Sequence, residues 1–85
     1  MATAYEISFK HEILNEFIAG IDGFFARNYL YTGKKIPENV AKAREEMWDI
    51  YEKLPFENDM DMLEKYDKRL FEIRDFIKSQ TASDK

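Results

Sequence analysis

Apolar residues along the chain recur at intervals of three and four, which is the spacing of one face of an α-helix. Only three glycines and two prolines interrupt this pattern, and no stretch alternates apolar and polar residues as a strand does. The pattern therefore predicts an all-α protein, a small antiparallel bundle of three to four helices with short connections. The 85 residues suffice for one domain. We place this domain at residues 1–78 and a flexible C-terminal tail at 79–85.

The first predicted helix covers about residues 5–31 and opens with Thr3 and Glu6 in the spacing of a capping box. Its apolar positions spread over almost half of the helix circumference, which indicates a central element with more than one neighbour. Gly20 and Gly23 each cost up to about 1 kcal/mol inside a helix. The segment is therefore either one kinked helix or two shorter helices, and both versions stay open. The apolar positions are Ile13, Leu14, Phe17, Ile18, Ile21, Phe24 and Phe25.

The second and third predicted helices each carry one regular apolar stripe. The second enters at Pro37, which suits a first turn because proline has no amide hydrogen, and it ends at Leu54-Pro55. Asn58 is the predicted cap of the third helix, which continues to about Lys78. The second stripe is Val40, Ala43, Met47, Ile50 and Leu54, and the third is Leu63, Tyr66, Leu70, Ile73 and Ile77.

The charge is concentrated in one segment of the chain. Residues 45–67 hold nine acidic side chains and two lysines, a net charge of -7, although the whole chain carries only -4. On the second helix Glu45, Asp49 and Glu52 lie opposite the apolar stripe, so they must face solvent or a partner. Clustered like charges lower stability, and binding to a cationic partner would offset that loss.

We predict that this acidic segment binds a protein. Trp48 lies beside the acids as a candidate anchor, unless it packs with Phe71 in a second seam against the first helix. An ordinary solvated acidic face is the simpler alternative. The predicted partner-binding residues are Glu45, Glu46, Trp48, Asp49, Glu52, Glu57, Asp59, Asp61 and Glu64.

Catalytic machinery is not indicated. The chain has no cysteine and therefore no thiol nucleophile or thiolate metal site. Its one histidine, His11, has no second histidine or Glu-x-x-His set with which to bind a metal, and no glycine-rich phosphate loop occurs. We expect no enzymatic activity, metal or cofactor, and interpret His11 as a partly exposed helix residue.

Composition also limits the expected partners and location. The basic residues at positions 34, 35, 42 and 44 form only a modest cluster, so direct nucleic-acid binding is not expected. No apolar run is long enough to cross a bilayer and no signal peptide is indicated, so we expect no membrane association. The absence of cysteine suits a reducing cytoplasm, which is the expected location.

Segments distributed over residues 12–78 carry a family resemblance. They are Phe17-Ile18-Ala19-Gly20-Ile21 with Phe24, the basic-aromatic stretch Arg27 to Tyr31, the helix entry at Pro37, Glu45-Glu46 followed by Phe56, and Leu70-x-x-x-Arg74-x-x-Ile77. In these segments the chain resembles the colicin D-type immunity proteins, small helical inhibitors of tRNA-cleaving toxins. The resemblance implies that the acidic residues occupy the phosphate positions in the basic cleft of a cognate nuclease toxin, with Trp48 as the central anchor.

Two other functions fit the same sequence. A phage-encoded inhibitor or DNA mimic would present the same acids to a host nucleic-acid-binding protein. A structural homo-oligomer or helical adaptor would use the apolar stripes, with the acids only solvating it. We expect the free chain to be a monomer or a weak homodimer.

Overall fold

The computed structural model describes residues 2–83, and these form three α-helices and no strand. Helix α1 spans Ala4–Phe25, α2 spans Glu38–Lys53 and α3 spans Met60–Ser83. A π-helical turn at Ala26–Leu30 continues α1, and a 3₁₀ turn at Leu54–Phe56 follows α2. The predicted all-α class is therefore confirmed.

Helix α1 begins at the predicted capping box. The Thr3 hydroxyl accepts the Glu6 amide at 3.1 Å, and the Glu6 carboxylate accepts the Thr3 amide at 3.4 Å. The helix then continues through Gly20 and Gly23 without a break. The prediction of two shorter helices is therefore wrong. Each glycine costs too little to interrupt a helix whose neighbouring residues Ile18, Ile21 and Phe25 are buried in the core.

The irregular part of this segment lies after the glycines. The Tyr31 amide donates to the Ala26 carbonyl, five residues back, at 2.9 Å. Gly33 then adopts a left-handed conformation with φ of 70° and ends the helical path, close to the predicted end. In this π-helical turn the Tyr29 ring lies with its centroid 5.2 Å from that of Phe25, and both rings are buried in the core.

Side-chain contacts along the helices define an up-down-up bundle. Helices α1 and α3 run in the same direction, since Lys10 pairs with Asp67 at 3.0 Å near one end and Tyr29 contacts Thr81 at 3.0 Å near the other. Helix α2 runs opposite to both. Helix α1 packs against both α2 and α3, as the spread of its apolar positions predicted, and the contacts of α3 with its two neighbours are more extensive than those between α1 and α2.

The core agrees with the predicted stripes. Of the residues predicted for α2 and α3, only Ala43 and Tyr66 remain partly exposed, and on α1 the side chain of Ile13 is the one that faces solvent. The buried apolar core consists of Leu14, Ile18, Ile21, Phe25, Tyr29, Val40, Met47, Ile50, Leu54, Leu63, Leu70, Ile73 and Ile77.

Both ends of α3 differ from the prediction. Asp59, and not Asn58, caps the helix, because its carboxylate accepts the Asp61 amide at 3.0 Å. At the other end, α3 continues to Ser83, and Thr81 is buried there. Positions 79–83 of the predicted flexible tail are therefore helical, whereas 84 and 85 lie outside the described residues.

Candidate functional site

The outer face of α2 presents the acids that the sequence placed there. Glu45, Asp49 and Glu52 are exposed and lie on the side of the helix opposite the core stripe. None of the three forms a salt bridge with another residue in the described range 2–83. Within that range no salt bridge relieves their mutual repulsion, although Lys53 lies close to Asp49 and Glu52.

Two of these acids border a shallow depression where α2 ends. Asp49 and Glu52 meet Glu57 there, around an open volume of about 450 Å³ that Lys53 and Tyr66 also line. The Phe56 ring, which belongs to the 3₁₀ turn, lies in the same depression. We call Glu45, Asp49, Glu52 and Glu57, together with Phe56, the acidic surface.

Phe56 is the most exposed large apolar residue of the described chain, at 84% of its full accessible area. Two contacts attach the turn that carries Phe56 to the rest of the bundle. Leu54 is buried in the core, and the Glu57 carbonyl accepts a hydrogen bond from His11 Nε2 at 2.6 Å. His11 is partly buried on α1, as predicted for a helix residue. An aromatic ring that a structured turn presents to solvent among carboxylates has the features of a protein-binding anchor.

The remaining predicted acids do not join this surface. Asp59 and Asp61 line a separate depression beside Glu6 at the start of α1, where the Asp59 carboxylate serves as the helix cap. Glu64 is exposed on α3 and borders neither depression. The predicted partner-binding acids between positions 45 and 64 are therefore divided between α2 with the turn after it and the start of α3.

Glu46 lies on a different side of α2, where it holds α3. Both of its carboxylate oxygens accept from Arg69, through Nε and through Nη2 at 2.7 Å, and Arg69 also contacts Glu72 at 3.2 Å. The hydrogen bond from Arg69 keeps the pKa of Glu46 below its ordinary value, and the same bond raises the pKa of Arg69. Glu46 is therefore already paired and is not available in the way that Glu45 is.

Phe71 packs against the first helix, as the second-seam alternative predicted, whereas the ring and cation contacts of Trp48 are with residues of α2. Trp48 is partly buried against the core, meets the Tyr51 ring edge-on with centroids 5.3 Å apart and lies under the Arg44 guanidinium. Phe71 contacts Phe17 of α1 edge-on, with the ring centroids 4.7 Å apart. Trp48 does not line the acidic depression, where the exposed aromatic residue is Phe56.

Sequence reasoning missed a second surface, a groove between α1 and α3. It has a volume of about 260 Å³, an apolar floor and three cations at its edge. The available signal was the pair Phe17 and Phe24 flanking Gly20 on one helical face, but the cations of α3 come next to that face only in the folded bundle. We call Phe17, Gly20, Phe24, Arg27, Arg74 and Lys78 the basic-aromatic groove.

The described residues form neither a metal site nor a membrane-spanning helix. Within residues 2–83, no three histidine or carboxylate side chains are placed so that they could hold a metal ion. None of the helices there has both the length and the apolar character that crossing a bilayer requires. In comparisons with known proteins, no family model, no curated protein and no solved structure matches the chain significantly.

Proposed function

We propose that this protein is an immunity protein, an inhibitor that binds the basic active-site cleft of a cognate nuclease toxin through its acidic surface. The tRNA-cleaving class of toxin follows from the family resemblance of the sequence. The expected site of action is the cytoplasm, where such a toxin meets its substrate. The proposal involves no catalysis, cofactor or direct contact with nucleic acid.

The observation that carries the proposal is the exposed Phe56 ring among carboxylates that form no salt bridge within residues 2–83. A solvated acidic face needs no aromatic residue, and an exposed ring by itself attracts no particular charge. Together they provide an apolar anchor surrounded by groups that pair with lysine and arginine, which is how tight protein interfaces concentrate their binding energy.

The physical basis of inhibition would be substitution of carboxylates for phosphates. A nuclease cleft is basic because it must bind a polyanion, so Asp49, Glu52 and Glu57 would take the positions of successive phosphates. The long-range attraction would accelerate association, and this acceleration would decline as salt is added. Phe56 would then exclude water at the centre of the contact.

The test is co-expression with the protein encoded next to this chain, followed by co-purification and a tRNA-cleavage assay. We expect a stable complex that suppresses cleavage. The double variant Glu45→Lys, Asp49→Lys should weaken binding at least tenfold, and so should Phe56→Ala. The double variant Glu12→Lys, Glu16→Lys makes the same charge change at two exposed positions on α1 and should leave binding within about twofold.

Two results would refute the proposal. A complex that tolerates both α2 charge reversals would show that the acidic surface is not the interface. The absence of any complex or protection, combined with binding to a host nucleic-acid-binding protein, would favour the DNA-mimic function, which uses the same carboxylates.

A further inference from the structure

We propose that the basic-aromatic groove is the contact surface of a weak, two-fold symmetric homodimer, filled by the N-terminal half of α1 from a second copy. This inference is independent of the inhibitory function, because the groove lies between α1 and α3 and the acidic surface lies on α2 and the turn after it.

Gly20 is the first observation that supports the dimer. A Cβ atom at this position would meet no atom within 4 Å beyond the adjacent residues and the backbone of its own helix, and the residue is part of a regular helix. Neither a close internal contact nor an unusual backbone conformation therefore requires glycine, although glycine weakens a helix. The missing side chain leaves the floor of the groove open to a group from outside the chain.

The second observation is an exposed apolar stripe that leads into the groove. Tyr5, Phe9 and Ile13 are exposed by 79%, 53% and 40%, and they are followed at helical spacing by Phe17, Gly20 and Phe24. Tyr5 and Phe9 stack on each other with ring centroids 6.4 Å apart. The track covers 19 residue steps of α1, or about 28 Å at the helical rise. Phe71 of α3, exposed by 45%, widens it near its middle.

The two halves of the track complement each other when two copies meet antiparallel. The N-terminal half offers projecting rings, whereas the C-terminal half offers the gap at Gly20. An antiparallel two-fold arrangement places Phe9 of each copy opposite Gly20 of the other and brings Ile13 and Phe17 near the axis. The Phe9 ring of each copy then enters the gap at Gly20 of the other copy.

Charge favours the antiparallel direction over the parallel one. The C-terminal end of the track carries Arg27, Arg74 and Lys78, of which only Arg74 has a carboxylate partner within residues 2–83, namely Asp75. The N-terminal half of α1 exposes Glu6 and Glu12. An antiparallel dimer sets the basic end of one copy near the acidic half of the other, whereas a parallel dimer opposes like charges.

The size of the track sets the expected affinity. A strip about 28 Å long and one helix diameter, about 10 Å, wide is well below the roughly 800 Å² per partner of a standard stable interface. We therefore expect a reversible dimer with a dissociation constant on the order of 0.1 mM. The concave shape of the groove fits a helix and not a flat lipid surface.

The experiment is sedimentation equilibrium of the full chain from about 10 µM to 1 mM. The unchanged protein should show a reversible monomer–dimer equilibrium. Gly20→Leu fills the gap and should raise the dissociation constant at least tenfold, and Phe9→Ala, which removes the ring, should do the same. Ala19→Leu is the matched control at the neighbouring exposed position and should change it by less than about twofold. Helical circular dichroism of each variant verifies folding.

A cysteine pair tests the register. The chain contains no cysteine, so a mixture of Phe9→Cys and Gly20→Cys proteins should form mainly the mixed disulfide under mild oxidation. Predominant links between two copies of the same variant would overturn the antiparallel arrangement. Three results in sedimentation would overturn the proposal itself: no association up to 1 mM, a larger oligomer, or a dimer that tolerates Gly20→Leu. The proposal would also be overturned if the protein stayed monomeric but bound anionic vesicles, and Gly20→Leu abolished that binding.

Discussion

A buried hydrogen bond between the π-helical turn and the last turn of α3 provides a quantitative test of the fold. The Tyr29 hydroxyl lies 3.0 Å from the Thr81 hydroxyl, and both side chains are buried. Thr81 also donates to the Ile77 carbonyl at 2.8 Å. Because the threonine proton is used in that bond, Tyr29 must be the donor to Thr81.

The two single substitutions should therefore have unequal effects. Tyr29→Phe removes the donor and keeps the ring against Phe25, so it should cost about 0.5–1.5 kcal/mol of unfolding free energy. Thr81→Val keeps the volume but leaves the buried Tyr29 hydroxyl without an acceptor, and that should cost about 1–3 kcal/mol. The double variant removes both groups and should cost less than the sum of the two by about 1 kcal/mol.

Urea unfolding followed by circular dichroism measures these differences. Tyr31→Phe removes the same hydroxyl from a side chain that is 80% exposed, so it should stay within about 0.5 kcal/mol of the unchanged protein. If Thr81→Val were as mild as Tyr31→Phe, and the double variant were simply additive, residues 79–83 would not be packed as described and the sequence-based prediction of a flexible tail would be restored.

Three further substitutions test local features. Thr3→Ala removes the capping box and should cost about 1 kcal/mol in urea unfolding, an expectation that an unchanged midpoint would contradict. Gly33→Ala forces a side chain into the left-handed region and should cost about 1–2 kcal/mol, whereas a stabilised variant would show that the turn is not as described. Glu46→Gln breaks the pair with Arg69 and should cost less than about 1 kcal/mol at pH 7, because the pair is half exposed. The folded-state pKa of Glu46 lies below its ordinary value of 4.5, so the stabilising effect of its charge is complete above pH 4.5 and is lost as the pH falls through the folded-state pKa. The urea unfolding free energies of Glu46→Gln and the unchanged protein should therefore converge near pH 2. An equal difference between them at pH 2 and pH 7 would refute this origin.

The sequence predicted the core well because burial follows helical periodicity. Leu14, Met47 and Leu70 each lie at the centre of a stripe with spacing three and four, and each is fully buried. The end of α3 was missed because its composition, small and polar, is typical of a frayed terminus. Thr81 is buried where its hydroxyl contacts Tyr29, and Tyr29 belongs to the π-helical turn, which is distant in the sequence.

The candidate site was predicted only in part, for a geometrical reason. A single helix fixes which of its own residues share a face, so the grouping of Glu45, Asp49 and Glu52 could be derived from spacing. The outward faces of two helices in a triangular bundle point in different directions, so acids on α3 such as Glu64 need not extend the face of α2. That relation requires the packed structure.

The two proposed surfaces make different demands on the same molecule, and this allows each to be tested without the other. The acidic surface lies on α2 and the turn after it, and the dimer surface lies on α1 and α3. Neither would cover the other. A dimer would thus present two acidic surfaces, and linking them could strengthen binding only to a partner that also has two basic sites. For a monomeric nuclease, Gly20→Leu should weaken dimerisation at least tenfold and leave the affinity of each binding site unchanged. A loss of inhibition in that variant would mean that the groove, and not the acidic surface, contacts the toxin.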